Sequence, residues 1–118
     1  MLSKRIPEIA VEELAKKLKS QDEFILLDVR EAWEVALAEI IDSRLLILPM
    51  SRLAKEGISA LPEPVRSLEV EIYVLCHHGI RSADITRWLV SQGWMNVFSV
   101  AGGIEEYARS VDSSIGFY

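Results

Sequence analysis

Ile72-Tyr73-Val74-Leu75-Cys76-His77-His78-Gly79-Ile80-Arg81-Ser82 carries the strongest structural signal in this chain. Ile72 to Leu75 run apolar without alternation, which is the pattern of a strand buried on both faces. Gly79 opens a loop, and Ser82 is placed to cap a following helix that carries Asp84 in its first turn. The only cysteine stands at the junction between strand and helix. The first amides of a helix have no intrahelical acceptor and lie at the positive end of its dipole, so such surroundings favour a thiolate, the nucleophilic form.

An isolated cysteine more often serves as a small apolar filler. Cys76, however, ends its apolar run instead of lying inside it, and two histidines, a glycine and an arginine follow within five positions. That context predicts a reactive thiol. A zinc site needs about four donors at separated positions. Cys76, His77 and His78 are consecutive and are the only cysteine and histidines present, so neither a metal nor another cofactor is expected.

Outward from this core the elements alternate. Val11, Leu14, Ala15 and Leu18 recur at helical spacing and predict a helix over 11–20. Phe24 to Leu27 form a second unbroken apolar run that stops at Asp28. A short helix from Glu31 to about Leu37, a strand over 45–48, and a helical segment over 51–61 weakened by Gly57 follow. Ile85, Trp88 and Leu89 give the helix after Ser82 a core face, with Gly93 as its stop. A strand over 96–100, the turn Gly102-Gly103 and a short helix over 104–109 complete the order, and 111–118 is read as a docked strap. Trp33, Trp88 and Trp94 are read as core or rim aromatics. Strands alternating with helices predict an α/β domain, a mostly parallel central sheet with helices on both faces. Ligands gather beyond the carboxyl ends of such strands, so Cys76 and Asp28-Val29-Arg30 are expected to share one mouth.

At 118 residues, half of them hydrophobic and 26% charged, the chain is expected to be one domain over 1–118, with its core from about residue 9. A single cysteine cannot close an internal disulfide, and neither a signal peptide nor a membrane span is seen, so a cytoplasmic setting is expected. The net charge of -5 speaks against a nucleic-acid partner, which would need a basic face.

Leu26-Leu27-Asp28-Val29-Arg30-Glu31, Val74-Leu75-Cys76-His77-His78-Gly79-Ile80-Arg81-Ser82 and Val100-Ala101-Gly102-Gly103-Ile104 together, in this order and spacing, make the chain resemble a single-domain rhodanese from about Ile9 onward. The resemblance implies a sulfurtransferase. Its active-site loop starts at Cys76, and its backbone N–H groups point at the sulfur. The thiolate takes a sulfane sulfur from a donor such as thiosulfate, carries it as a persulfide and passes it to cyanide, a thiol or a protein acceptor. The partners it implies are therefore a small sulfur-containing anion and a thiol or protein acceptor, with no membrane, and a monomer or weak dimer is expected.

In this reading Cys76 is the nucleophile, and His77, His78, Gly79, Ile80, Arg81 and Ser82 form the loop that binds the substrate anion. Gly79 permits the sharp turn through positive φ, and Arg81 holds the loop and adds positive charge near the sulfur. Asp28 and Arg30 are supporting residues. A carboxylate at the strand end can accept loop N–H groups, and Arg30 can pair with a carboxylate beneath the mouth.

Four residues separate Cys76 from Arg81. The related cell-cycle phosphatases have a loop one residue longer, so the resemblance favours sulfur transfer over a phosphatase or arsenate reductase. The other alternative is a non-catalytic or persulfide-carrier module that binds a protein partner. The chain departs from the family pattern at Ala38-Glu39-Ile40-Ile41-Asp42-Ser43, where many members have Gly-His-Ile and then Pro-Gly-Ala. It also departs at Glu34 and His78, where thiosulfate-using two-domain members carry an arginine and a lysine. Fewer fixed cations weaken the binding of a doubly charged donor.

Overall fold

A computed structural model describes residues 6–118. The residues of the leader reading up to Arg5, and with them the start of the expected domain, lie outside the described part. Among the described residues five strands form one sheet: β1 (Glu8–Ile9), β2 (Ile25–Asp28), β3 (Leu45–Ile47), β4 (Ile72–Leu75) and β5 (Val97–Val100), in the order β1-β5-β4-β2-β3. Every pairing is parallel. The α/β architecture expected from the alternation is therefore present, and its sheet is parallel throughout.

A parallel sheet needs cover on both faces. Helices α1 (Val11–Lys19) and α5 (Gly103–Ser110) cover one. Leu14, Ile104 and Tyr107 pack there against Leu26, Tyr73 and Leu75. Helices α3 (Met50–Glu56) and α4 (Ile80–Ser91) cover the other, where Leu53, Ile85 and Leu89 meet Leu27, Val74 and Val97. Period-two alternation along β4 sends Val74 to one cluster and Tyr73 and Leu75 to the other, which is why the strand reads as continuous apolar sequence. The short α2 (Ala32–Val35) follows β2.

Several boundaries differ from the sequence reading. The α4 helix starts at Ile80 with Gly79 as its N-cap, so Ser82 lies inside the first turn and Asp84 beyond it. Ile80, Arg81 and Ser82, expected in the loop, are helical. The reason is that the sulfur of Cys76 accepts the amides of Gly79 and Ser82, leaving no need for a serine cap. The helical segment after Pro49 ends at Glu56, and Gly57 (φ +63) turns it into a 3-10 turn over Gly57–Ala60. Strand β1 is only two residues long, too short for any periodicity to announce it.

In the departing segment after α2, Asp42 and Arg44 take over the turn. Arg44 donates to Asp42 through its backbone amide and its guanidinium, and also to the carbonyls of Leu18, Ser20 and Asp22.

Candidate active site

The order β5-β4-β2 puts three strand ends side by side. From β2 the chain goes outward to β3, and from β4 it goes outward to β5 on the other side. The switch point of the sheet therefore lies between β2 and β4, where open α/β sheets form their crevice. Asp28 ends β2, Cys76 follows β4, and Gly102-Gly103 follow β5.

Cys76 is 1% exposed. Its Sγ accepts the N–H groups of Gly79 (3.1 Å) and Ser82 (3.3 Å) and lies 3.4 Å from the Ser82 hydroxyl. Gly79 has φ +92, the left-handed conformation that lets the chain turn back over the sulfur. The opposite side of the loop is held by α5. The amides of Ile104 and Glu105 donate to the carbonyls of Cys76 (2.9 Å) and His77 (3.1 Å). With its carbonyls engaged by one helix start, the loop turns its amides toward the sulfur, and two helix N-termini converge on one short segment. This grip requires glycine: a Cβ on Gly103 would sit 2.3 Å from the His77 carbonyl oxygen and 2.6 Å from that of Cys76.

Two ion pairs brace the mouth. Asp28 and Arg30 are both fully buried and meet at 2.8 Å, and Asp28 also accepts the Arg30 amide. The supporting carboxylate beneath the mouth is thus Asp28 itself. Arg81 makes a two-pronged pair with Glu34 (2.7 and 2.8 Å), which is nearly buried. The Arg81 guanidinium holds the Glu34 carboxyl down at about 2, and Glu34 in turn holds Arg81 well above its ordinary value. The expected positive charge beside the sulfur is therefore answered by a carboxylate.

Glu34 also closes the start of α2 by accepting the Glu31 amide. Tyr118 ties the pairs together, its hydroxyl lying 3.1 Å from both Arg30 and Glu34. The docked strap expected at 111–118 is present in Tyr118, whereas Phe117 is exposed. Trp94 is buried and Trp88 packs at the core edge, while Trp33 is 65% exposed and meets the Tyr118 ring edge-on.

His77 is stacked between His78 and Tyr118, each ring centroid 3.8 Å away. Burial first, then the neighbouring His78, lowers its pKa and favours the neutral imidazole. His77, His78 and Glu105 each bring a potential ligand atom within 4.8 Å of the others. The two imidazoles stack with 28° between their planes, so their in-plane lone pairs run side by side instead of converging as a tetrahedral ion requires. A groove of about 760 Å³ lies between α1, Ala36–Asp42 and the end of α5, and no residue of the cysteine loop lines it.

Ser99, Glu105 and Tyr118 are neighbours of the loop that the sequence does not single out, and Glu34, a departure from the family pattern, is the partner of Arg81. Glu34 and Glu31 do carry a local signal, carboxylates three positions apart at a helix start. The others are joined to the loop only through the fold.

A sequence model of the rhodanese-like domain matches residues 10–110. The chain is 36% identical to a rhodanese-like/PpiC domain-containing protein of Arabidopsis thaliana, over all of this chain and 40% of that protein's length. It is 30% identical to a sulfurtransferase of Allochromatium vinosum over 88% of this chain and 90% of that one. Among solved structures, a human single-domain sulfurtransferase superposes with a TM-score of 0.70 at 26% identity, covering 88% of this chain and 96% of that one. With its parallel sheet, its cysteine at the switch point and this match over most of its length, the chain belongs to the rhodanese-like domain family.

Proposed function

We propose that the chain is a sulfurtransferase that carries sulfane sulfur as a persulfide on Cys76. The observation that carries this reading is the cradle around Sγ, two amides that donate to one buried sulfur and a hydroxyl 3.4 Å from it, with the loop's carbonyl side held by α5. Donors fixed in place before reaction stabilise an anionic sulfur without reorganisation.

In the first half-reaction the Cys76 thiolate attacks the outer sulfur of a donor such as thiosulfate. An Sγ–S bond forms, the donor's S–S bond breaks, and sulfite leaves with the electron pair. In the second, cyanide or an acceptor thiolate attacks the outer sulfur and forms its own bond to it, and Cys76 is released as the thiolate. No redox partner is needed. One cysteine suffices because the acceptor comes from outside, and a single thiol accords with a reducing, cytoplasmic setting.

The test is intact-mass spectrometry with and without thiosulfate, then with cyanide, beside Cys76→Ser. The expected result is a gain of one sulfur on the wild type alone, reversed by cyanide with release of thiocyanate. Sulfur uptake or turnover in folded Cys76→Ser would overturn the proposal. Uptake that only a protein acceptor discharges would favour the persulfide-carrier reading.

A further inference from the structure

Ser99 lies in β5, and strand alternation turns it to the same face as Val97, toward the apolar cluster under α4. A hydroxyl there is costly unless it is used. Ser99 is 0% exposed, and its Oγ is 2.8 Å from the Oγ of Ser82, also 0% exposed. Ser82 Oγ is in turn 3.4 Å from Cys76 Sγ. The three groups form one chain, Sγ to Ser82 to Ser99, closed off from water.

Each hydroxyl has one proton to donate, so this chain has a direction. If Cys76 gives a thiol proton to Ser82, Ser82 donates to Ser99, and the Ser99 proton needs a further acceptor. Among the described residues, Ser82 is the only hydrogen-bond partner of the Ser99 side chain. If the sulfur is an acceptor, as a thiolate or as the inner sulfur of a persulfide, Ser99 donates to Ser82 and Ser82 donates to the sulfur. Every proton is then placed. A buried donor left without an acceptor is what the first arrangement costs and the second avoids.

We infer that Ser99 is a positioning residue for Cys76: it turns the Ser82 hydroxyl toward the sulfur and so holds the sulfur as a hydrogen-bond acceptor. The inference rests on the reading of Cys76 as the nucleophile, but its first readout does not depend on sulfur transfer.

That readout is the ultraviolet thiolate absorbance and iodoacetamide alkylation rate of the folded protein at neutral pH, compared among wild type, Ser99→Ala, Ser99→Thr and Ser99→Val. Threonine and valine have nearly the same shape and differ by the hydroxyl, so a packing effect strikes both. Ser99→Ala and Ser99→Val are expected to lose about fivefold in alkylation rate, the equivalent of one hydrogen bond, with a matching loss of thiolate absorbance, and Ser99→Thr is expected to recover most of both. In sulfur transfer the loss falls on kcat, with KM changed by less than about twofold. Folded Ser99→Ala with wild-type absorbance and alkylation, or equal behaviour of the threonine and valine variants, would overturn the inference. If the wild type takes sulfur from no donor, the sulfurtransferase reading fails while the absorbance comparison still decides the role of Ser99.

Discussion

Gly103→Ala probes the grip of α5 on the cysteine loop. The added Cβ would stand 2.3 Å from the His77 carbonyl oxygen and 2.6 Å from that of Cys76. An ordinary carbon–oxygen approach is about 3.3 Å or more, so helix and loop must part by about 1 Å. The obstacles are backbone atoms, which cannot swing aside as a side chain can. Parting stretches the hydrogen bonds from Ile104 to Cys76 and from Glu105 to His77. Two weakened hydrogen bonds and about 1 kcal/mol for alanine at positive φ give a loss on the order of 2–3 kcal/mol in stability. A displacement of about 1 Å at the reacting group costs on the order of 100-fold in rate.

Gly57→Ala is the matched control. Gly57 has nearly the same φ, +63 against +66, and nothing lies within 4 Å of its added Cβ. Its ψ of -145 lies outside the left-handed helical well, so Gly57→Ala is expected to lose on the order of 1–3 kcal/mol in stability and no activity. The assay is steady-state thiocyanate formation from thiosulfate and cyanide, with thermal unfolding of each variant. Folded Gly103→Ala retaining activity within about twofold of the Gly57→Ala control would refute the argument that α5 fixes the loop.

Two further outcomes follow from the Glu34–Arg81 pair. The folded pKa of Glu34, about 2, lies below its ordinary value of 4.5. Its contribution to stability is therefore complete above the unfolded value and drains away as pH falls through the folded one. Glu34→Gln is expected to be less stable than the wild type at pH 7 by on the order of 2 kcal/mol after solvent screening at the partly exposed Arg81, with most of that difference gone near pH 2. Urea unfolding at both pH values checks this, and an undiminished gap in acid would show that the charge is not the source. Because Arg81 is already paired and the chain carries a net charge of -5, kcat/KM of the wild type for thiosulfate should stay level or rise as salt is added. A steep fall would reveal an unanswered cation at the mouth.

Much of this was legible along the chain. Ile72 to Leu75 and Phe24 to Leu27 announced buried strands because a strand covered on both faces has no wet side to interrupt its apolar run. Cys76 announced itself by ending such a run, and Gly79 by standing where the chain must turn. The start of α4 was misplaced, because a serine at a plausible cap position is the usual signal and a sulfur acting as acceptor for the helix amides is not.

The set of elements, their parallel class and the position of the cysteine between strand and helix were readable along the chain, since each depends on residues within a few positions of one another. It took the folded chain to show that Glu34 answers Arg81, that Tyr118 bridges two ion pairs, that Gly103 seats α5 against the loop and that Ser99 stands behind Ser82. These contacts join strand ends and helix starts that are distant along the chain, and it is the strand order of the sheet, β5-β4-β2, that brings them within hydrogen-bond reach.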